Sequence, residues 1–141
     1  MRRTSIGFIF GTTVAAFVLL WVVGVAAQNP GGSADGKKLK NPVKPSPQSI
    51  SAGKDLFTKN CRSCHGTDGK GDGPMKPKDS HPSDLTDAEW TRGSTDGEIF
   101  AVVRDGAGPQ FVMKGYKSRM TENDIWNLVN YIRSLGPKSS Q

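Results

Sequence analysis

Cys61, Cys64 and His65, in the run CRSCHG, are the residues of this 141-residue chain best placed to do chemistry. They are its only two cysteines, three positions apart, followed at once by one of its two histidines. Two thiols and an imidazole at that spacing admit four chemistries. A disulfide would close too short a loop to stabilise much and would leave His65 unused. A redox dithiol of the thioredoxin kind belongs between a strand and a helix of a βαβ unit. Structural zinc asks for four ligands, and beyond these three residues only distant His81 is on offer, without either usual second pair. Covalent haem attachment, for which Cys-x-x-Cys-His is the sequence signal, turns both thiols into thioethers to one porphyrin and leaves His65 to meet the iron.

The elements that carry the motif bear on this choice. From Ser49 onward, Ile50, Gly53, Leu56, Phe57 and Cys61 recur at three- and four-residue steps among Lys54, Asp55, Lys59 and Asn60, which predicts a helix with one apolar stripe ending at Cys61. The stretch GTDGKGDGPMKPKDSHPSD has no periodicity and many turn dipeptides, so it reads as a loop. Its Asp68 and Asp72 lack the further carboxylates of a calcium loop, and its glycines lack the ending of a phosphate loop. Three Thr-x-x-acid patterns follow, at Thr86–Glu89, Thr95–Glu98 and Thr121–Asp124, each suited to a capping box and so to a helix start. Leu85 with Trp90, and Met120 with Ile125, stand at the spacing of hydrophobic staples around the first and third. The second helix should stop at Gly106. The last carries Ile125, Leu128, Val129, Ile132 and Leu135 on one face up to Gly136-Pro137. No strand is predicted. The expected fold is all-α, a small helical domain with long loops wrapped around one covalently bound haem, since the helix, the loop and the missing strand agree with attachment rather than with a dithiol.

Length allows one domain plus tails. Only 35% of the chain is hydrophobic, and 17 Gly and 9 Pro must be held by that modest core, so a group filling its centre would help. The net charge is +6, but from Ser46 to Lys138 there are 13 basic and 12 acidic residues. With no Lys/Arg run and no nucleic-acid motif in that body, nucleic-acid binding is excluded as a reading. Arg2 and Arg3 precede 22 uncharged residues from Ile6 to Ala27, ending in small residues. Residues 1–27 therefore read as a signal peptide or, being about as long as a bilayer is thick, an uncleaved membrane anchor. Residues 28–47 read as a flexible Pro/Gly/Lys linker, 48–137 as the domain and 138–141 as a tail.

With these residues in view, the chain resembles the class I monohaem cytochromes c. AGKDLFTKNCRSCHG is similar to the family's first helix and attachment site, and VMKGYKSRMTENDIWNLVNYIRSL to its methionine loop and closing helix. The resemblance covers Ser49 to Leu135. It implies a crossing of first and last helices at Gly53, Phe57, Leu128 and Tyr131. It implies haem c, iron, and axial ligation by His65 and Met113, chosen from Met75, His81, Met113 and Met120. Met113-Lys114-Gly115-Tyr116 matches the family's Met-Pro-x-aromatic run except at Lys114, and Met120-Thr121 fills its Leu-Ser/Thr slot as a core staple. It also implies a hydrogen bond from the His65 imidazole to a carbonyl of Pro82 or Ser83. Leu85, Phe100, Phe111 and Trp126 are candidates either for contact with the haem or for ordinary core.

The function so implied is one-electron transfer in an exported, periplasmic chain, with redox proteins as partners, no catalysis and no small-molecule substrate. Docking would use basic residues such as Lys59, Arg62, Lys70 and Lys117 around the haem edge. Two alternatives go with it: a membrane-tethered subunit feeding electrons to a larger oxidoreductase, or a haem sensor or peroxidase if Met113 leaves the sixth position open.

Overall fold

Two fourteen-residue helices, one at each end of the domain, cross to form its spine. The computed structural model describes residues 34–79, 81–108 and 112–137. The apolar segment 1–27, the start of the linker, Phe111 and the tail lie outside the described residues. Helix α1 (Pro47–Asn60) begins where the Ser46 hydroxyl accepts a bond from the Ser49 amide at 3.1 Å, with Pro47 in the first turn, where its missing N–H costs nothing. Helix α4 (Glu122–Leu135) begins at a complete capping box. The Asp124 amide donates to the Thr121 hydroxyl, and the Thr121 amide and hydroxyl donate to the Asp124 carboxylate at 3.0 and 2.7 Å. The two helices meet backbone to backbone at Gly53, where a Cβ would stand 2.1 Å from the Asn127 carbonyl oxygen and 2.7 Å from Tyr131 Cβ. One turn away the Phe57 and Tyr131 rings pack at 5.2 Å, over a fully buried Leu128.

A single turn, α2 (Arg62–His65), continues beyond Cys61, and α3 (Asp96–Asp105) starts at the Thr95/Glu98 capping box and packs on α4 through stacked Phe100 and Trp126 rings 4.1 Å apart. Leu128, Val129, Ile125, Phe57 and Phe100 are the most buried members of the one core these helices share. The all-α expectation holds, with one addition. Gly106–Ala107 (β1) and Met113–Lys114 (β2) pair antiparallel, Gly106 opposite Lys114 and Ala107 opposite Met113, where no strand was predicted. Two-residue strands carry no alternation to detect.

The expected helix start at Thr86 is absent. The Thr86 amide and hydroxyl both donate to the Asp84 carboxylate, at 2.8 and 2.6 Å, closing a local turn where the capping box would have formed. Upstream, part of the stretch that composition reads as linker is packed onto the domain. A short 3₁₀ turn (Gly36–Lys38) lies against α3, with Lys37 Nζ 3.9 Å from the buried Glu98 carboxylate. Asn41 donates to the side chain of Asn130 at 2.8 Å, and Asn130, 3% exposed, donates in turn to the Val43 carbonyl and the Ser49 hydroxyl. Among the described residues no helix is long and apolar enough to cross a membrane.

Candidate functional site

Beside the crossing lies a cavity of about 590 Å³, lined mostly by apolar side chains. The end of α1 and the turn α2 form one wall and supply Cys61, Cys64 and His65. The floor is Phe57 of α1 with Leu128 and Ile132 of α4. Ile99 and Val103 of α3 and Leu85 close further sides, and Met113 enters from β2. Four sequence candidates from two distant parts of the chain are thus brought to one space. Met120 is instead buried in the core and does not line the cavity, as its staple position predicts, and Met75 is 72% exposed. His81 is exposed at the margin. Leu85 lines the cavity, whereas Phe100 and Trp126 stack in the core away from it.

The loop after α2 is folded back so that it orients the imidazole. The Gly71 amide bonds to the His65 carbonyl at 2.8 Å, and the Leu85 amide to the Gly69 carbonyl at 2.7 Å. Gly71 has φ +75°, and a Cβ there would meet the Pro82 carbonyl oxygen at 2.2 Å, so only glycine lets residues 82–83 come this close. In that position the Ser83 carbonyl stands 3.2 Å from His65 Nδ1. It can accept only from a protonated Nδ1, which fixes the tautomer and leaves the Nε2 lone pair free for a metal. Burial pushes the His65 pKa below its ordinary value, against the opposing pull of the Ser83 carbonyl, so the ring is neutral and ligand-competent at pH 7.

Cys61 and Cys64 are both free thiols, so the disulfide alternative has no counterpart here. Cys61 is buried, and desolvation followed by the neighbouring Cys64 pushes its pKa up to about 12. Among the described residues no group of three or more His, Cys, Asp or Glu is arranged to hold a metal ion, which removes the four-ligand set that zinc requires. What remains fits a covalently held porphyrin: two thiols on one wall, an oriented imidazole beside them, a thioether entering from β2 and apolar walls elsewhere. A further observation agrees. The indole Nε1 of Trp90, a residue that lines the cavity, is buried with no hydrogen-bond partner among the described residues, and Arg92 lines the same cavity. An indole N–H and a guanidinium are donors suited to the two carboxylates a haem carries. Sequence reasoning had set Trp90 aside as a helix staple and did not single out Arg92; an isolated Trp-x-Arg gives no signal. Tyr116, read only as the aromatic of the methionine loop, also lines the cavity.

Comparison with known proteins agrees with this geometry. The family model for cytochrome c matches residues 50–136. The chain is 36% identical over 86 residues to a cbb3-type cytochrome c oxidase subunit FixPc of Rhizobium leguminosarum bv. viciae, covering 60% of this chain and 27% of that protein. It is also 36% identical over 87 residues to the cbb3-type cytochrome c oxidase subunit CcoP of Cereibacter sphaeroides, again covering 60% and 27%. The chain thus spans about a quarter of the length of these relatives. Among solved structures, the reducing HAO-like protein complex of Kuenenia stuttgartiensis superposes with a TM-score of 0.59 at 26% identity, over 68% of this chain and 47% of that one. Cytochrome cL of Methylophaga aminisulfidivorans shares the fold, with a TM-score of 0.50 at 24% identity over 63% of this chain and 54% of that one.

Proposed function

This chain belongs to the cytochrome c family, and on that basis we propose that it holds one haem c through Cys61 and Cys64, binds its iron with His65 and Met113, and passes single electrons between redox proteins outside the cytoplasm. The observation that carries this reading is the meeting of those four side chains at one cavity, with the imidazole already turned by Ser83. Bound there, haem c supplies a one-electron Fe(III)/Fe(II) couple. The protein's part is to hold and to exclude. Cys61 and Cys64 would fix the ring, His65 would present Nε2 to the iron, and Met113 would offer its sulfur as the second protein ligand, which would leave no place for a substrate at the metal. A thioether ligand favours the reduced metal and sets a comparatively positive potential. Leu85, Ile99, Val103, Leu128 and Ile132 line the cavity and would keep water from a ring held there.

The test is the absorption spectrum and intact mass of protein exported by a host that assembles c-type cytochromes. The expected mass is that of the chain plus one haem. The optical band of iron-to-methionine bonding should be lost in Met113→Ala and kept in Met120→Ala. A band that survives Met113→Ala, or an open sixth position in the wild type, would sink the carrier reading and turn attention to sensing or peroxidase chemistry. A second reading, a tethered domain feeding electrons to a larger oxidoreductase, is favoured by the oxidase-subunit relatives together with the apolar segment Ile6–Ala27. Mass analysis separates the two: a chain beginning at Gln28 is a free carrier, and one retaining Met1 is anchored.

A further inference from the structure

The segment that carries Met113 is fastened mainly to α3. β2 pairs with β1 at the end of α3, the Tyr116 amide donates to the Val103 and Arg104 carbonyls at 2.9 and 3.1 Å, and the Lys117 amide donates to Arg104 at 3.1 Å. The Arg119 and Met120 amides close a turn on the Tyr116 carbonyl. None of these contacts fixes Met113 relative to the opposite wall, where Cys61 and Cys64 stand. One hydrogen bond does: the Tyr116 hydroxyl donates to the Asn60 carbonyl at 2.9 Å. Asn60 is the last residue of α1 and the neighbour of Cys61, and its carbonyl is among those a helix leaves without an internal partner. Among the described residues no other hydrogen bond joins residues 112–120 to α1. The Tyr116 ring is also capped by the Arg119 guanidinium, 4.5 Å from its centre.

We infer that Tyr116 is a positioning residue: its hydroxyl clasps the Met113 segment to the attachment helix and so sets how firmly the methionine sulfur stays at its axial place. The inference rests on the reading of Met113 as a ligand. It also accounts for Lys114 standing where the family's run has proline. Restraint that a proline ring would give through its fixed φ comes here from a tie to the far wall. Breaking the tie releases the segment on one side only, so the sulfur is displaced more readily while the fold persists.

The experiment uses ferric holoprotein and added imidazole, which competes with the Met113 sulfur for the sixth position. Tyr116→Phe keeps the ring and removes only the hydroxyl. It is expected to raise the apparent imidazole affinity about fivefold, the equilibrium effect of one neutral hydrogen bond. Ser46→Ala, which removes the cap at the far end of α1 and causes a comparable loss of global stability, should leave imidazole affinity at the wild-type value. An unchanged affinity in Tyr116→Phe overturns the inference, as does an equal rise in Ser46→Ala, which would make the effect one of general loosening. If Met113→Ala retains its iron-to-methionine band, Met113 is not the ligand and both readings fall. If that band is lost while Tyr116→Phe binds imidazole like wild type, only the clasp falls.

Discussion

Replacing Gly53 with alanine tests the packing on which the whole site depends. An added Cβ would sit 2.1 Å from the Asn127 carbonyl oxygen, whereas ordinary contact begins at 3.4 Å. That oxygen belongs to the backbone of α4 and cannot rotate aside, so α1 and α4 must separate locally by about 1.3 Å, the difference of those distances. A gap of roughly 0.5–1 Å already forfeits a quarter to a half of each dispersion contact, and the contacts concerned are those of Phe57, Leu128 and Tyr131. Overpacking of this kind costs about 3 kcal/mol at the upper end of its usual range. Alanine regains about 1 kcal/mol in helix propensity. The net expectation is a loss of about 2 kcal/mol, read as a lower guanidinium midpoint of the holoprotein with an unchanged slope. Ala52→Gly, on the exposed face of the same helix, should lose about 1 kcal/mol from propensity alone. The reasoning is refuted if Gly53→Ala is as stable as the parent or more so, since propensity would then be the only term in play.

Other outcomes follow from the same contacts. Thr121→Ala deletes the hydroxyl of the α4 cap and should cost about 1 kcal/mol, lowering the thermal midpoint by about 4–8 °C for a domain of this size. Asn130→Ala leaves the Val43 carbonyl and the Asn41 side chain without their partner, at a cost of about 2–4 kcal/mol, and should make residues 41–45 an early site of proteolysis in the native protein. Burial pushes the Glu98 carboxyl upward, but the amide and hydroxyl of Thr95, then Lys37 and the Ser94 amide, together hold its pKa below the ordinary 4.5. A carboxyl depressed in the folded state contributes stability that is complete above its unfolded value and is lost as pH falls through the folded one. Denaturant midpoints taken from pH 7 down to pH 3 should therefore fall on the acid side of 4.5, and Glu98→Gln should flatten that fall; an unchanged slope would show that Glu98 does not carry it.

Much of this could be read from residue spacing because it is encoded locally. The caps at Thr95 and Thr121, the stop at Gly106 and the stripe delivering Cys61 each rest on residues within a few positions of one another, and each is found where its spacing places it. Thr86 failed for an equally local reason. Asp84, two positions earlier, captures the same amide and hydroxyl that a capping box needs, and a pattern that looks only forward from the threonine misses it. The packed stretch before α1 was illegible for the opposite reason. Its composition is that of a coil, and what holds it is a pair of asparagines 89 positions apart. The convergence of Met113 with Cys61 was legible only through family resemblance, and the place of Trp90 at the cavity was hidden because an indole N–H left without a partner among the described residues is a property of its surroundings.

The burial of Cys61 bears on the order of assembly. Thioether formation needs a sulfur that its partner can reach, and in the closed fold Cys61 is only 9% exposed, with the same burial disfavouring its thiolate. If Cys61 carries a thioether, as proposed, the group would be captured by a chain not yet closed, and folding would then seal it. Brief alkylation of refolded apoprotein should leave Cys61 unmodified, and rapid labelling there would reverse the sequence of events.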